Sequence, residues 1–348
     1  MIRIKIKKRV LQFKRPAGTS RGVLLNKPVW YIIIYNENNT GIGECNPLKG
    51  LSLDDIPDFE ERLLSIATTF ESNQKIDLMD LAAYPAMKFG FEMALKDLEQ
   101  DQDCLLYPSG FTNGKSSILI NGLVWMGDKE FMIKQVHDKL KEGFTCIKLK
   151  IGAINFKDEM DILKSIRDVF PPDEIELRVD ANGAFAPGDA LDKLEQLSKY
   201  YIHSIEQPIK QGQWDAMARL CKNSPIPIAL DEELIAIRDS VKKAEMLSKI
   251  NPEYIILKPS LLGGFTETDQ WIALAESLGI KWWITSALES DIGLNAIAQY
   301  TFTKNNHLPQ GLGTGKLYTN NIPSPLVIAN GSLGIDSKLK WDLTEIIN

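Results

Sequence analysis

The strongest constraint in this chain is a series of short apolar runs that end in charged residues. Eight such runs read as β-strands: 118–124, 146–151, 175–180, 203–206, 228–231, 254–258, 282–286 and 308–311. Their ends fall about 25 to 30 residues apart, the length of one strand with its helix and return. Helical patterns fill the intervals. Strands that alternate with helices build a parallel sheet, and eight of them predict a closed α/β barrel rather than an open doubly wound sheet. Gly311-x-Gly313-x-Gly315 is the nearest approach to a dinucleotide-binding turn, but it follows the last run and makes that reading weak.

Strand parity then assigns an interior. Successive residues of a strand face opposite sides. In the 146–151 run the apolar set is Ile147, Leu149 and Ile151, so Lys148 and Lys150 face inward together, about 6–7 Å apart. In the 175–180 run Ile175, Leu177 and Val179 face outward, which turns Glu176, Arg178 and Asp180 inward. The same rule sends Glu206, Asp231 and Lys258 inward from the next three strands. Five consecutive strands thus place charge at the C-terminal rim, where barrel enzymes react.

Buried charges cost several kcal/mol each unless they are paired or bind a metal. Ion pairing such as Asp180 with Lys150 accounts for any one of them, but less well for five on successive strands. Three carboxylates with no histidine nearby suit Mg²⁺, with Mn²⁺ as a substitute, rather than zinc. A carbon acid beside a carboxylate needs a base for its proton and a cation for the charge that develops. Asp180, Glu206 and Asp231 are the candidate metal ligands. Lys148 beside Lys150, with a cation close by, favours a neutral amine at Lys150, while Lys258 projects from the opposite side.

The rest of the chain bounds the function. Residues 1–112 read as an α+β domain, with helices over Leu53–Phe70 and Tyr84–Gln100 and a Pro/Gly/Asn-rich boundary over Tyr107–Lys115. The barrel then spans 113–319, and the tail, 320–348, is expected to fold back on the N-terminal domain. Forty basic against 46 acidic residues leave a formal charge of −6, which argues against nucleic acid and anionic membrane as partners. No apolar run reaches the ~18 residues of a membrane span. Four scattered cysteines without metal-type spacing predict reduced thiols in a cytoplasmic protein. The sequence leaves the oligomeric state open.

Five motifs carry a resemblance. Lys148-x-Lys150, Arg178-Val-Asp180-Ala-Asn182, Ile205-Glu206-Gln207-Pro208, Leu230-Asp231-Glu232 and Lys258-Pro-Ser-x-x-Gly263-Gly264 are similar to those of the enolase superfamily, in its muconate-lactonising-enzyme-like subgroup. The resemblance covers nearly the whole chain. It implies a (β/α)7β TIM-like barrel with an N-terminal capping domain, Mg²⁺ on Asp180, Glu206 and Asp231, Lys150 as acid/base, Lys258 as second catalytic lysine and Lys148 as the tuner of Lys150. Within the subgroup the chain most resembles the enzymes that dehydrate a succinyl-hydroxycyclohexadiene carboxylate to an aromatic acid in menaquinone synthesis. Ser286-Ala-Leu-Glu-Ser290 resembles the seventh-strand motif, and Gly311-Leu-Gly-Thr314-Gly lacks the Asp-x-Asp with which dipeptide epimerases hold an ammonium group.

Supporting or substrate-binding roles are therefore expected at Lys148, Asn182, Ser286, Gly311 and Thr314. Arg178 either binds a substrate carboxylate or pairs with Glu176 and the rim acids. Arg21, in the loop 16–22 that matches the superfamily's mobile cap loop, could meet a carboxylate; a plain hairpin loop is the alternative. A racemase or epimerase of dipeptides or N-acylamino acids needs the same five charges and is the competing reading. A Schiff-base lysine enzyme would leave the three carboxylates unexplained.

Overall fold

The computed structural model describes all residues except 20, 21, 101, 126 and 153. At the N-terminus β1 (Arg3–Thr19) and β2 (Gly22–Tyr35) form a long antiparallel hairpin, and β3 (Thr40–Cys45) pairs with β2. The apolar run on β2 has a simple origin: both of its faces are covered. Trp30, Ile32 and Ile34 pack on Phe59, Leu63 and Phe91, whereas Tyr31 and Ile33 belong to the main core. Two helices, α1 (Phe59–Asn73) and α2 (Pro85–Leu98), cover the first face. The first helix begins six residues later than expected, because 51–58 is a turn-rich segment.

The α2 helix lies so close to β3 that no side chain fits between them. A Cβ on Gly41 would stand 2.0 Å from the Ala94 carbonyl oxygen, and one on Gly43 would stand 1.9 Å from that of Gly90.

The strands of the second region form one curled parallel sheet of seven in sequence order, the mixed α/β arrangement expected of alternating strands and helices. It comprises β5 (Gly122–Val124), β6 (Cys146–Lys150), β7 (Glu176–Asp180), β8 (Ile202–Glu206), β9 (Ile228–Leu230), β10 (Tyr254–Leu257) and β11 (Lys281–Ile284). Between them run α3 (Lys129–Lys141), α4 (Phe156–Arg167), α5 (Ala190–Ser198), α6 (Trp214–Asn223), the short α7 (Glu232–Ile235), α8 (Ser240–Ile250), the short α9 (Pro259–Leu262) and α10 (Phe265–Ser277), with α11 (Asp291–Thr303) after β11. Ile147, Leu149, Leu177, Val179, Ile205 and Leu230 face these helices and are buried, as parity requires.

Two expected strands differ. The run 118–124 is broken: β4 (Ile118–Leu119) leaves the parallel sheet and pairs with β13 (Ser332–Ile335), itself paired with β12 (Leu326–Ala329). The run 308–311 makes only isolated parallel bridges, Gln310 to Ile120 on one side and Gly311 to Thr285 on the other.

The tail is divided between the two regions. Its strands join β4, while Arg9 and Lys5 of β1 bond to the Asn320, Ile347 and Asn348 carbonyls, beside the terminal helix α12 (Thr344–Ile347). All four cysteines are free. No helix among the described residues is long and apolar enough to cross a membrane.

Gly43→Ala tests the contact between β3 and α2. Overpacking of this kind costs about 3 kcal/mol or more, so thermal melting should show a strong loss of stability; a melting temperature equal to wild type would disprove the close contact.

Candidate active site

The C-terminal ends of the parallel strands surround a cavity of about 110 Å³. β6 carries Lys148 and Lys150 into it, β7 ends at Asp180, β8 at Glu206, and Asp231 and Lys258 follow β9 and β10. Asp180, Glu206 and Asp231 are each at most 2% exposed. Lys148 bonds to Glu206 and lies 3.0 Å from Asp180 Oδ2. Lys150 Nζ lies 3.6 Å from the same oxygen and donates to Asn182 Oδ1 at 2.9 Å. Lys258 bonds to Asp231 and lies 3.9 Å from Glu206 Oε1. Six expected residues are therefore one electrostatic unit.

The carboxylates respond unequally. Burial, reinforced by the negative charges of Asp180 and Asp231, pushes the Glu206 carboxyl up to about 8. Burial also acts to raise Asp180, but the ammoniums of Lys148, Lys150 and Lys258 outweigh it and hold that group below the usual carboxylate range. For Lys258, burial disfavours the charge, yet Asp231, Glu206 and Glu232 together raise its affinity for the proton. Glu206 Oε1 is buried and accepts no hydrogen bond. An orphaned carboxylate oxygen between two other buried carboxylates suits a hard divalent cation. Among the described residues no three acidic, histidine or cysteine groups already converge as a metal cage; the lysine ammoniums lie among the carboxylates instead.

The neighbouring backbone is held in uncommon conformations. Gln207 (φ 40°) follows the end of β8 directly, and Asn182 (φ 44°) lies two residues past the end of β7. Asn182 links Lys150 to Glu232, donating to its Oε1 at 3.2 Å. The wholly buried Gln207 accepts from the Asp231 N–H at 3.2 Å and donates to the Ile209 carbonyl at 3.0 Å. Gln207, of the Glu206-Gln207-Pro208 motif, thereby ties the end of β8 to the start of α7.

Ser286, Gly311 and Thr314 line the cavity, and the two hydroxyls bond each other at 2.6 Å. Two residues absent from the expected set, Leu48 and Leu51, reach the same cavity from the N-terminal region. That region is anchored by Glu44, which accepts from the Ser290 N–H (2.9 Å), its hydroxyl (2.5 Å) and the Gly293 N–H (2.9 Å). The carboxylate thereby caps α11 from another part of the chain. Burial raises it to about 7, against the pull of Lys27.

Of the two alternatives for Arg178, the structure shows the pairing with Glu176. It is 2% exposed and absent from the cavity wall; its Nε donates to Glu176 at 2.7 Å, its Nη1 to the Pro309 carbonyl at 2.8 Å, and its guanidinium lies 4.3 Å from the Trp283 ring centroid. Two residues before Asp180, it faces inward but lies about 6–7 Å deeper. Arg21 lies outside the described residues; the strands on either side of it run to Thr19 and from Gly22.

The family description "Enolase C-terminal domain-like" matches residues 132–338. The chain belongs to the enolase superfamily. It is 47% identical to the o-succinylbenzoate synthase of Desulfotalea psychrophila, over 93% of this chain and 96% of that one. The crystal structure of MenC from Desulfotalea psychrophila superposes with a TM-score of 0.84 at 42% identity, covering 96% of this chain and 99% of that one. The hydrophobic dipeptide epimerase of Enterococcus faecalis is more distant, at 26% identity over 79% of this chain and 77% of its own. Enolase-superfamily enzymes use a divalent metal, in keeping with the orphaned oxygen on Glu206.

Arg178→Met separates structure from chemistry. Loss of a buried charged hydrogen-bond donor should lower stability by about 2–3 kcal/mol while leaving KM for the substrate unchanged at a temperature where the variant is folded. A raised KM with wild-type stability would return Arg178 to the binding site.

Proposed function

We infer that this chain catalyses the o-succinylbenzoate synthase reaction, the dehydration of succinyl-hydroxycyclohexadiene carboxylate in menaquinone biosynthesis. The observation that carries this reading is a pair of lysines facing each other across three buried carboxylates. β6 and β10 are separated by three strands in the sheet, so Lys150 and Lys258 enter the cavity from opposite walls. The two parallel bridges at residues 310 and 311 support reading the sheet as a closed (β/α)7β barrel over 113–319. The cap then comprises 1–112 with the parts of 320–348 that bond to β1, while the strands of the tail stay with β4.

Asp180, Glu206 and Asp231 would hold Mg²⁺. When bound, the ion supplies positive charge to the substrate carboxylate as negative charge accumulates there. Lys150 as the free amine takes the proton on the carbon beside that carboxylate, the C–H electron pair is delocalised into the carboxylate, and the same pair then forms the new ring double bond as the C–O bond breaks. The proton now on Lys150 passes to the departing hydroxyl, which leaves as water, and the amine is neutral again. One base on one face serves both transfers, so the elimination is syn. Lys258 stays charged on the other face, a cation over the ring. Asn182 orients Lys150 through its 2.9 Å hydrogen bond.

Epimerisation by the same two lysines is the competing reading. The acidic groups in the cavity wall are Asp180 and Glu232, both at the metal end. The other end offers Ser286, Thr314 and apolar side chains, which favour a carboxylate-bearing arm over an ammonium group. Location in the cytoplasm agrees with a small-molecule biosynthetic role.

Loss of diene absorbance on mixing protein with the cyclohexadiene substrate tests the proposal. The loss should be rapid with Mg²⁺, abolished by EDTA, and reduced at least ~10²-fold by Lys150→Ala. Solvent deuterium entering dipeptides without any dehydration would replace the reading by epimerisation. Asp231→Asn should raise the Mg²⁺ concentration needed for half-maximal rate at least about tenfold; an unchanged titration would remove Asp231 from the ligand set.

A further inference from the structure

Asn121 lies between β4 and β5 and is part of no motif in the sequence. Its backbone is fixed on two sides: its N–H donates to the Gln310 carbonyl at 2.9 Å, and the next residue, Gly122, pairs with Ile147 of β6. The side chain is 95% buried, since only 5% of the residue is exposed, and it lines the same cavity as Lys148 and Lys150. Among the described residues its amide makes no hydrogen bond. Its amide atoms are not among the sealed polar atoms that lack a partner, so they are open to the cavity and free to meet a ligand there.

The surroundings indicate what that partner is. The cavity wall next to Asn121 is apolar, with Leu123 two residues on and Ala287 and Leu288 beside Ser286. The backbone of Asn121 abuts Gly313, where a Cβ would lie 3.4 Å from the Asn121 carbonyl oxygen. Its backbone thus borders the segment that carries Thr314, whose hydroxyl bonds that of Ser286 in the same cavity wall. Ser286 Oγ also lies 3.3 Å from the Gly311 carbonyl oxygen, so part of the donor capacity of these two hydroxyls is already used. Both N–H donors of the Asn121 amide are unspent. No acidic side chain at this end of the cavity competes for them.

We propose that Asn121 is a specificity-determining residue that donates its side-chain amide N–H to an oxygen of the substrate's succinyl arm. The inference rests on the reaction proposed above. In that substrate the ring carboxylate belongs at the metal end with Lys148, Lys150 and the three acids. The arm carries a ketone and a terminal carboxylate, all acceptors, and it must lie along a wall that offers donors. Asn121 supplies two donors on a fixed backbone, between the strand of the catalytic lysine and the loop of Ser286 and Thr314. An arm without oxygens would leave the amide desolvated and unpaired, so the residue selects against such substrates.

The test compares two ligands on the full chain with Mg²⁺: o-succinylbenzoate, and ortho-methylbenzoate, which keeps the ring and its carboxylate but lacks the arm. Binding is measured by calorimetry for wild type, Asn121→Leu and Asn121→Ser, with thermal melts to establish that each variant is folded. Asn121→Leu should weaken o-succinylbenzoate at least about tenfold, the worth of one hydrogen bond to a charged group, and leave ortho-methylbenzoate within about twofold. Asn121→Ser, which keeps one donor, should recover part of the loss. In turnover, KM should rise in Asn121→Leu while kcat stays within a few-fold. Equal weakening of both ligands, or of neither, would overturn the role assigned to Asn121. Wild type that neither dehydrates the cyclohexadiene nor binds o-succinylbenzoate would overturn the functional reading, and this inference with it.

Discussion

Six charged side chains at one end of a parallel sheet, four of them buried and two half-buried, are the constraint on which the remainder of the structure depends. Three carboxylates and three ammoniums balance one another, with Lys148 bridging Asp180 and Glu206 and Lys258 bridging Asp231 and Glu206. No subset would be tolerable in this setting, because a buried charge that loses its partner costs about 3–5 kcal/mol. The balance is incomplete in one place: one oxygen of Glu206 has no donor. A carboxylate oxygen left open among buried acids suits a hard divalent cation.

The positions of these charges depend on tight local geometry. Asn182 and Gln207 turn the backbone sharply where β7 and β8 end, and each then uses its amide to fix a neighbour: Asn182 holds Lys150, and Gln207 holds the Asp231 backbone. The N-terminal region closes the site from outside by contributing Leu48 and Leu51. Its seating depends on Glu44, a carboxylate bound to the N-terminus of α11 just beyond the cavity-lining segment 285–288. Cap and sheet are therefore joined at the edge of the site itself.

Much of the site was legible because a strand has a period of two. The apolar residues Ile147, Leu149, Leu177 and Val179 are buried against the helices, which left no choice for Lys148, Lys150 and Asp180, and the structure turns these toward the cavity. Parity says nothing about depth, however, and Arg178 shares the inward face of Asp180 while lying one pleat-pair below it, against Trp283. Asn121 escaped notice for a different reason. Its strand breaks at residue 120, where β4 departs to pair with the distant β13, and no local alternation announces that exchange. The cap contact of Glu44 with Ser290 joins residues 246 positions apart and is a property of the folded chain alone. In β1 the Lys14-Arg15-Pro16 segment has the composition of a loop, yet pairing with β2 resumes at Ala17 and carries the strand to Thr19.

The central claim is that three carboxylates hold one metal ion while two lysines address opposite faces of the substrate. A crystal structure of the chain with Mg²⁺ and o-succinylbenzoate measures this directly. The account predicts one ion with an oxygen of each of Asp180, Glu206 and Asp231 about 2.0–2.1 Å away, and the Lys150 and Lys258 nitrogens on opposite faces of the ring. An ion bound elsewhere, or both nitrogens on one face of the ring, would contradict it.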